Sequence, residues 1–408
     1  MRRDELLAAL DTSVDVEIER ILPGGFGLAH ARGQTILVAL AAPGDLVRVR
    51  IKEIRGQVAF ALIEEIYASS PVRVTPSCPY FGRCGGCDFQ QLSYEAQLAA
   101  KVEIIRDCLR RIAHIEPPAS LPITPAPAKW SYRSRVEWQY DAGQKLLGYY
   151  ERGSHRICDT AVCPVAAPQL QETLTRLRAE MHRGALPDKV NEFQATAGDG
   201  DVSLAPPLRN STDVTTKLET SRTIGDERYR FDARCFFQIN HELLAPLIGE
   251  ATADAHTAGS ETALDLYCGV GLFTLPLARH FKHVVGVEAN TTAARFAKRN
   301  LMDAGLANAT IETAPVGEWL KQRNRNRGGR AAVDFVLLDP PRTGIEDGAI
   351  GHLLALRPSR IAYVSCDPAT LARDLRHLIA GGYQLASVAA FDMFSQTHHV
   401  ETVAHLTV

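Results

Sequence analysis

Apolar and polar residues alternate along residues 14–68. The stretches VDVEIERI, TILVAL and DLVRVRIKEI show this period of two, and PGGFG, ARGQ and APGD stand as turns between such stretches. Alternation between Gly- and Pro-containing turns is typical of short antiparallel strands. The pattern therefore predicts a small β-barrel over residues 14–68, within a first domain that spans residues 1–68.

The pattern changes from residue 261 onward. Five apolar segments, each followed by a helical stretch, occur in the order TALDLYCG, HVVGVEAN, NATIET, AAVDFVLLDPP and RIAYVSCD. Alternating strands and helices indicate a doubly wound parallel sheet. Two more strand-like runs, QLASVAAFDMF and HVETVAHLTV, predict an antiparallel edge hairpin after the last helix. The predicted fold class is α/β, with this domain spanning 256–408.

Residues 69–255 form a mixed α+β region between these two parts. An amphipathic helix is predicted at about 93–114 and another helix around 167–183, while SRVEWQY and KLLGYYERG resemble strands. Five prolines between 117 and 127 mark a linker.

Composition limits the classes of function. The 408 residues are 46% hydrophobic and 23% charged, enough for two or three globular domains. The opening MRRDELLAAL carries acids where a signal peptide needs an apolar core, and no run reaches transmembrane length. We therefore expect a cytoplasmic protein with no membrane partner, and a monomer.

A net charge of −2 gives no overall basic signature, so nucleic-acid binding would need local patches. Arg48, Arg50, Lys52 and Arg55 cluster on the predicted barrel strands. They could meet phosphate, or they could form a solvated face, and the sequence favours neither.

A glycine turn follows the first strand of the α/β region. DLYCGVGLF places Gly269 and Gly271 where backbone can approach a ligand, and Glu288 ends the next strand, where acids meet ribose hydroxyls in such folds. Position 274 is Thr, so the third glycine of a dinucleotide fingerprint is missing and a ligand with one nucleoside is favoured. The alternative is an ordinary turn with a surface glutamate. Together with LLDPPRTG after the fourth strand, the turn resembles the class I S-adenosylmethionine-dependent methyltransferases over residues 261–408.

Cys366 lies between a strand and a helix in IAYVSCDPATL, at the carboxyl edge of the predicted sheet. We expect Asp367 to cap the helix and Pro368 to occupy its first turn. A packed core thiol is the alternative role for Cys366. Beside a methyl donor, a thiolate can add to C6 of a pyrimidine and activate C5, and a base must then remove the C5 proton. Glu401 in HHVETV is the candidate base, with a solvent-facing glutamate as the competing interpretation.

Four motifs in order, DLYCGVG, LLDPPRTG, VSCDPATLARD and HHVET, resemble the uracil-5 RNA methyltransferase family. The resemblance implies that Cys366 is the nucleophile and Glu401 the proton acceptor. It also implies that Tyr267, Glu288 and Asp339 line the methyl-donor pocket, joined by Gln238 from FFQIN. Many members have asparagine where this chain has Leu272, which puts one polar contact to the donor in doubt.

Nine unevenly spaced cysteines in a chain expected to be cytoplasmic favour metal binding or catalysis over disulfides. CPYFGRCGGC supplies Cys78, Cys84 and Cys87, with Cys163 or Cys158 as the fourth ligand, and this spacing suits zinc and iron-sulfur equally. A subgroup of the same family holds a [4Fe-4S] cluster with this pattern and a later Cys-Pro, which implies Cys163. The thiols expected to be packed are Cys108, Cys235 and Cys268.

The same subgroup begins with a small RNA-binding barrel called TRAM, which GGFGLAHARG and ALAAPGDLVRVRI resemble. In YRSRVEWQY, Arg133 and Arg135 alternate with aromatic residues, as in an RNA surface or as in any strand with two faces. The resemblance implies 5-methyluridine formation in ribosomal RNA, as in 23S rRNA (uracil-5-)-methyltransferases, with transfer RNA left open. Methylation of another base, or a non-catalytic RNA-binding factor, are the alternatives.

Overall fold

The computed structural model describes residues 11–208, 216–256, 261–325 and 332–408. Residues 1–10, the MRRDELLAAL stretch weighed against a signal peptide, lie outside the described residues. In the described part of the chain, every helix is too short or too polar to cross a membrane.

Six strands form the amino-terminal sheet: β1 Ser13–Glu17, β2 Arg20–Ile21, β3 Gly27–Ala31, β4 Gln34–Ala39, β5 Leu46–Arg55 and β6 Val58–Ala68. Their order in space is β1, β5, β6, β4, β3, β2. Ile18 N donates to Asp45 O (2.9 Å) and Glu19 N donates to Leu28 O (2.8 Å). The segment joining β1 to β2 thus bonds to both sides of the sheet, so the sheet curves back on itself around a buried apolar centre.

The central region begins with a helix and continues as a five-stranded sheet. Helix α1 covers Tyr94–Cys108, with Ser93 as its N-cap, and a π-helical turn Leu109–Ala113 extends it. The remaining elements are β7 Ile123–Thr124, β8 Arg135–Asp141, β9 Leu146–Tyr150, β10 Ile157–Asp159, α2 Pro168–Arg183, β11 Glu192–Ala197 and β12 Val202–Ala205. Strands β10, β9, β8, β11 and β12 pair in that order, and α2 packs on them through Leu170, Leu174 and Leu177.

The carboxy-terminal half follows a two-stranded ribbon, β13 Thr220–Ile224 and β14 Glu227–Phe231. Its helices are a short 3₁₀ turn His241–Leu243, α3 Leu244–Ala251, a second 3₁₀ turn Ala253–His256, α4 Thr274–His280, α5 Thr291–Asp303, α6 Val316–Arg325, α7 Ala349–Leu356 and α8 Pro368–Ala380. Its strands are β15 Thr262–Leu266, β16 His283–Glu288, β17 Ala309–Thr313, β18 Phe335–Leu338, β19 Arg360–Ser365, β20 Gln384–Phe391 and β21 Glu401–Thr407.

These strands form one large sheet in the order β17, β16, β15, β18, β19, β21, β20, β7. The first five are parallel and β21 is antiparallel to both of its neighbours. Ala263 and Leu264, neighbours on β15, belong to different buried clusters, so both faces of the sheet are covered. The strand order reverses direction between β15 and β18, and such a point leaves a crevice at the carboxyl ends of the strands.

The proline-rich stretch at 117–127 does more than connect domains. Its β7 pairs in parallel with β20, Ala390 opposite Ile123. The prediction of an edge hairpin is therefore wrong in its position, because β21 lies inside the sheet and β7 covers the outer side of β20. A strand of two residues is too short to leave a periodic signal in the sequence.

A fully buried ion pair joins α1 to the loop after β20. The ammonium of Lys101 contacts the carboxylate of Asp392, and both side chains are completely inaccessible to solvent. Lys101 Nζ also donates to Phe394 O (3.1 Å), while Tyr94 Oη (2.7 Å) and Ser395 Oγ (2.6 Å) donate to Asp392 Oδ2. The pair has the extra hydrogen bonds that a buried charge requires.

We predict that Lys101→Met lowers the free energy of unfolding by about 3–5 kcal/mol, because it leaves the Asp392 charge buried without a partner. Chemical denaturation followed by circular dichroism measures the change. Lys282→Met removes an exposed lysine paired with Glu261 and is the control, with an expected change of about 0–1 kcal/mol. Equal effects of the two substitutions would contradict the structural importance of the buried pair.

Candidate functional site

The chain turns sharply after β15, at the reversal point of the sheet. Tyr267, Gly269 and Gly271 have positive φ values of 66°, 55° and 91°. A Cβ atom at position 269 would meet nothing within 4 Å, so the space beside that backbone is open. A left-handed conformation is uncommon for tyrosine, and such strain clusters at functional sites. The turn therefore leaves open space beside its backbone at the carboxyl edge of the sheet.

Glu288 holds this turn from the end of β16. One carboxylate oxygen accepts from Gly269 N (2.9 Å) and the other accepts from Asn290 N (2.6 Å). Asn290 in turn caps α5 with its side chain. The predicted site residues Gly269 and Glu288 therefore lie together, although they are nineteen positions apart in the sequence.

Two carboxyl groups flank the turn, Asp265 buried and Asp339 half-buried. Burial and nearby Asp265 raise the pKa of Asp339 to about 8, against a hydrogen bond from Gln238. Burial likewise raises the pKa of Asp265 to about 7, against a hydrogen bond from Thr274 Oγ1 (2.5 Å). Within the described residues, Gln238 Oε1 and Asp265 Oδ1 have no hydrogen-bond partner. Buried polar atoms without partners suggest an absent ligand.

Cys366 and Glu401 meet across two antiparallel strands. Ser365 on β19 pairs with Thr402 on β21, so the next residue on each strand, Cys366 and Glu401, stands at the same carboxyl edge. Glu401 is buried, and its Oε2 has no hydrogen-bond partner among the described residues. The two residues predicted to catalyse the reaction are adjacent. Asp367 accepts from Ala369 N and Thr370 N (both 2.9 Å), which confirms the predicted helix cap with Pro368 in the first turn.

Arg342 lowers the pKa of both Cys366 and Glu401. Burial raises the pKa of the Cys366 thiol to about 12 and Glu401 adds to the shift, whereas the charge and a hydrogen bond of Arg342 lower it. Burial also raises the pKa of Glu401 well above its usual value, with Asp339 adding and Arg342 opposing. Burial thus favours the protonated form of both groups.

Arg342 and Asp265 were not among the predicted site residues. Both lie inside motifs that the sequence singled out, Arg342 in LLDPPRTG and Asp265 in DLYCGVG. The position just after an Asp-Pro-Pro turn is a usable signal, because the turn carries the next side chain to the same edge of the sheet.

The four cysteines predicted as metal ligands line one cavity. Cys78, Cys84, Cys87 and Cys163 surround it together with Arg133 and Tyr149, among others. The rival ligand Cys158 lies on β10, is completely buried and is not part of the lining. All nine cysteines are free thiols.

These thiols are spread around the cavity. Among the described residues, no three His, Cys, Asp or Glu side chains are close enough to share one metal ion. Arg133 places its cation beside Cys87 and Cys163, and its Nε has no hydrogen-bond partner within the described chain. Four thiols and a cation suit a group that carries net negative charge.

The four basic residues that cluster on the amino-terminal sheet are paired with acidic residues in or next to that sheet. Each has an acidic partner: Arg48 with Asp15 (2.9 Å), Arg50 with Glu64 (2.5 Å), Lys52 with Asp11 (2.7 Å) and Arg55 with Glu53 (2.5 Å). The geometry favours the solvated face over a preformed phosphate site.

The aromatic residues of YRSRVEWQY do not form an open surface. Tyr132, Trp138 and Tyr140 are buried with 1%, 0% and 6% of their surface exposed. Arg135 pairs with Glu137 (3.2 Å) on the same strand. The stacking interpretation of this stretch is therefore wrong, and the alternation is that of a strand with a core face and an outer face.

Comparison with known sequences identifies relatives over nearly the whole chain. An uncharacterized RNA methyltransferase of Thermosynechococcus vestitus is 33% identical, with 97% of this chain and 98% of the relative covered. One from Halalkalibacterium halodurans is 31% identical over 96% of both chains. The family described as tRNA (Uracil-5-)-methyltransferase matches residues 214–408.

Among solved structures, the fold resembles that of the Pyrococcus abyssi tRNA (uracil-54, C5)-methyltransferase in complex with S-adenosyl-L-homocysteine. The TM-score is 0.73 at 25% sequence identity, and the match covers 97% of this chain and 100% of that one.

We predict that Arg342→Gln slows alkylation of Cys366 by iodoacetamide several-fold at alkaline pH. Loss of the guanidinium removes a charge that lowers the pKa of the thiol, and only the thiolate reacts. Peptide-resolved mass spectrometry measures the rate at each cysteine. Arg376→Gln, at an exposed arginine on α8, is the control, and an unchanged rate at Cys366 in Arg342→Gln would contradict the proposed contact.

Proposed function

We propose that this chain, which belongs to a family of RNA methyltransferases and matches the tRNA (Uracil-5-)-methyltransferase family over residues 214–408, forms 5-methyluridine in RNA from S-adenosylmethionine. The observation that carries the proposal is the pairing of Cys366 with Glu401 beside the glycine turn.

The methyl donor would bind at the turn after β15. The residues that would surround the donor are Gln238, Tyr267, Gly269, Glu288 and Asp339. The Oε1 atom of Gln238, which has no hydrogen-bond partner among the described residues, is available to a ligand. A sulfonium is cationic, and several carboxyl groups with one nearby arginine make the crevice suited to a cation. Leu272, where many family members have asparagine, is buried at 7% exposure and leaves binding to the other residues.

The thiolate of Cys366 would add to C6 of the uracil, and the electron pair of the C5–C6 double bond would then form the new bond from C5 to the methyl carbon. The sulfur of the donor leaves with the electron pair of its bond to that methyl group. Glu401 takes the C5 proton, the C5–C6 double bond re-forms, and the thiolate of Cys366 departs.

Protonation states must change for this sequence to run. Burial raises the pKa of Cys366 and of Glu401 and so favours the protonated form of each in the free protein. A bound cation beside them favours their charged forms, because an opposite charge offsets the cost of burial. Donor binding would therefore prepare both the nucleophile and the base.

Uridine must leave its stack to reach a crevice at a strand edge. Phe236, two residues before Gln238, exposes 57% of its surface and offers an aromatic face for an unstacked base. We infer that residues 1–68 form a TRAM-like RNA-binding domain, that 69–255 carry the metal site and further RNA contacts, and that 256–408 catalyse the transfer.

Ribosomal RNA is the substrate we favour, from the cysteine pattern and the amino-terminal sheet domain together. Transfer RNA is the second candidate, because the solved structure that shares this fold is a tRNA (uracil-54, C5)-methyltransferase. The two substrate hypotheses predict the same modified nucleoside and differ only in whether ribosomal or transfer RNA receives the methyl group.

We predict that the anaerobically purified protein, given unmodified ribosomal and transfer RNA with methyl-labelled S-adenosylmethionine, produces labelled 5-methyluridine. Cys366→Ala is expected to abolish the label, whereas Cys108→Ala, at a buried thiol of α1, retains it. Nucleoside digestion and chromatography identify the product and the RNA pool. Label in another nucleoside, or full activity of Cys366→Ala, would refute the mechanism, and RNA binding without methylation would favour a non-catalytic factor.

We also propose that Cys78, Cys84, Cys87 and Cys163 hold a [4Fe-4S] cluster. A cluster divides four thiolates among four irons and carries net negative charge. The placement of the four thiols around one cavity and the cation of Arg133 beside Cys87 and Cys163 support the cluster.

We predict that the anaerobically purified protein absorbs visible light and contains iron and sulfide in equal amounts. Cys163→Ala is expected to lose most of the iron, while Cys158→Ala keeps it, because Cys158 does not line the cavity. Elemental analysis and absorption spectra provide the measurement. A colourless protein that contains zinc would contradict the cluster assignment.

A further inference from the structure

Residues 392–399, which we term the base loop, connect β20 to the strand that begins at Glu401. The loop has no regular secondary structure, yet nearly all of it is buried. Its least accessible residues, each exposing 3% or less, are Asp392, Met393, Ser395, Gln396 and Thr397. A buried irregular loop needs specific partners for its backbone, and here those partners come from the first third of the chain.

Two of these attachments come from α1. The first is the ion pair of Lys101 with Asp392. In the second, Gln97 Nε2 donates to Gln396 Oε1 (3.1 Å) and Gln97 Oε1 accepts from Gln396 N (3.0 Å). The ion pair holds the beginning of the base loop, and the Gln97 hydrogen bonds hold its middle.

The third attachment comes from residues 78–89, which we term the cysteine segment, and it holds the end of the base loop nearest Glu401. One carboxylate oxygen of Asp88 accepts from His398 N (2.8 Å) and the other pairs with His398 Nδ1 (2.5 Å). Asp88 N and Phe89 N both donate to Gln396 O (3.2 and 3.0 Å). Since a carboxylate only accepts, Nδ1 is the protonated nitrogen of the His398 ring.

Asp88 directly follows Cys87, whose side chain lines the cysteine cavity. The carbonyl of Cys87 accepts from Arg152 Nη2 (2.6 Å), which fixes the backbone on the other side of Asp88. The backbone that bears a proposed metal ligand is therefore the same backbone that positions His398.

We propose that Asp88 is a positioning residue for Glu401, acting through His398, and that the cysteine segment thereby sets the geometry of the proton-removal step. This inference rests on the proposed function and deepens it. His398 precedes Glu401 by three residues, so a change in its position is passed along a short peptide to the carboxylate. Catalytic groups need placement within about 0.5 Å, and positions set by surrounding contacts are lost when those contacts are removed.

The proposal makes a distinctive kinetic claim. Addition of Cys366 to C6 and transfer of the methyl group to C5 do not require Glu401, whereas removal of the C5 proton does. A misplaced base therefore leaves a covalent intermediate, in which the Cys366 Sγ–C6 bond persists and C5 carries both the methyl group and its proton. General loss of structure would instead reduce formation of this intermediate together with product.

The experiment mixes full-length protein with unmodified RNA and S-adenosylmethionine and measures covalent protein–RNA complex on denaturing gels, alongside 5-methyluridine. Asp88→Asn and His398→Ala are expected to accumulate at least several-fold more complex than the wild type while product formation falls. His398→Asn is expected to restore the wild-type level, because asparagine Nδ2 occupies the place of the histidine Nδ1 donor. Iron content and donor affinity of Asp88→Asn are expected to match the wild type.

Two controls separate the possible failures. Glu401→Gln removes the base itself and is expected to accumulate the complex, whereas Asp45→Asn removes a buried carboxylate of the amino-terminal sheet and is expected to leave the complex at the wild-type level. Accumulation with Glu401→Gln but with neither Asp88→Asn nor His398→Ala would overturn the inference and leave the proposed function intact. No complex in any variant, including Glu401→Gln, would overturn the proposed roles of Cys366 and Glu401 themselves. If Asp88→Asn fails to fold, the comparison of His398→Ala with His398→Asn decides the question.

Discussion

The buried contact between Lys101 and Asp392 is the constraint on which the arrangement of this protein depends. It joins the first long helix to the loop before the last strand, 291 positions apart in the sequence. A buried ion pair contributes little net stability compared with apolar packing, but it penalises every arrangement that leaves either charge unpaired. The pair therefore fixes where α1 lies against the α/β sheet. The cysteine segment, which precedes α1, is attached to the same loop through Asp88 and His398.

In the crevice, unlike at the Lys101–Asp392 pair, the acidic groups are not matched by an equal number of basic groups. Asp339 and Glu401 lie beside the Cys366 thiol, Asp265 lies beside Asp339, and burial raises the pKa of all three carboxyl groups. An ordinary aspartate titrates near 3.9, whereas Asp265 titrates at about 7, so the folded protein loses stability as pH rises between these values. Such an arrangement is costly for folding without a ligand. It is favourable when a cation binds, because the ligand supplies the charge that the fold omits.

The sequence was sufficient to predict much of the carboxy-terminal half. Apolar segments that alternate with helical stretches correspond to β15–β19, and Gly269, Glu288, Cys366 and Glu401 lie at one edge because strand ends share that edge. Local patterns do not report contacts between distant side chains. The contact of Asp88 with His398 spans 310 positions, and neither residue belongs to a periodic pattern. The burial of Trp138 was missed for a related reason, because alternation on a strand does not say which face meets the core.

The ion pairs on the amino-terminal sheet bear on how RNA could be held. Arg48 and Asp15 each expose about half of their side chains, and so do Lys52 and, to a greater extent, Asp11. An exposed pair of this kind contributes only about 0–1 kcal/mol, so a phosphate can replace the carboxylate at small cost. Replacing the carboxylate by an RNA phosphate strengthens RNA binding only where the displaced carboxylate can turn toward solvent. Otherwise the carboxylate repels the phosphate that takes its place. Ion pairing among these residues therefore limits non-specific attraction to RNA. Each cation still remains available to an RNA whose backbone shape places its phosphates beside the paired residues.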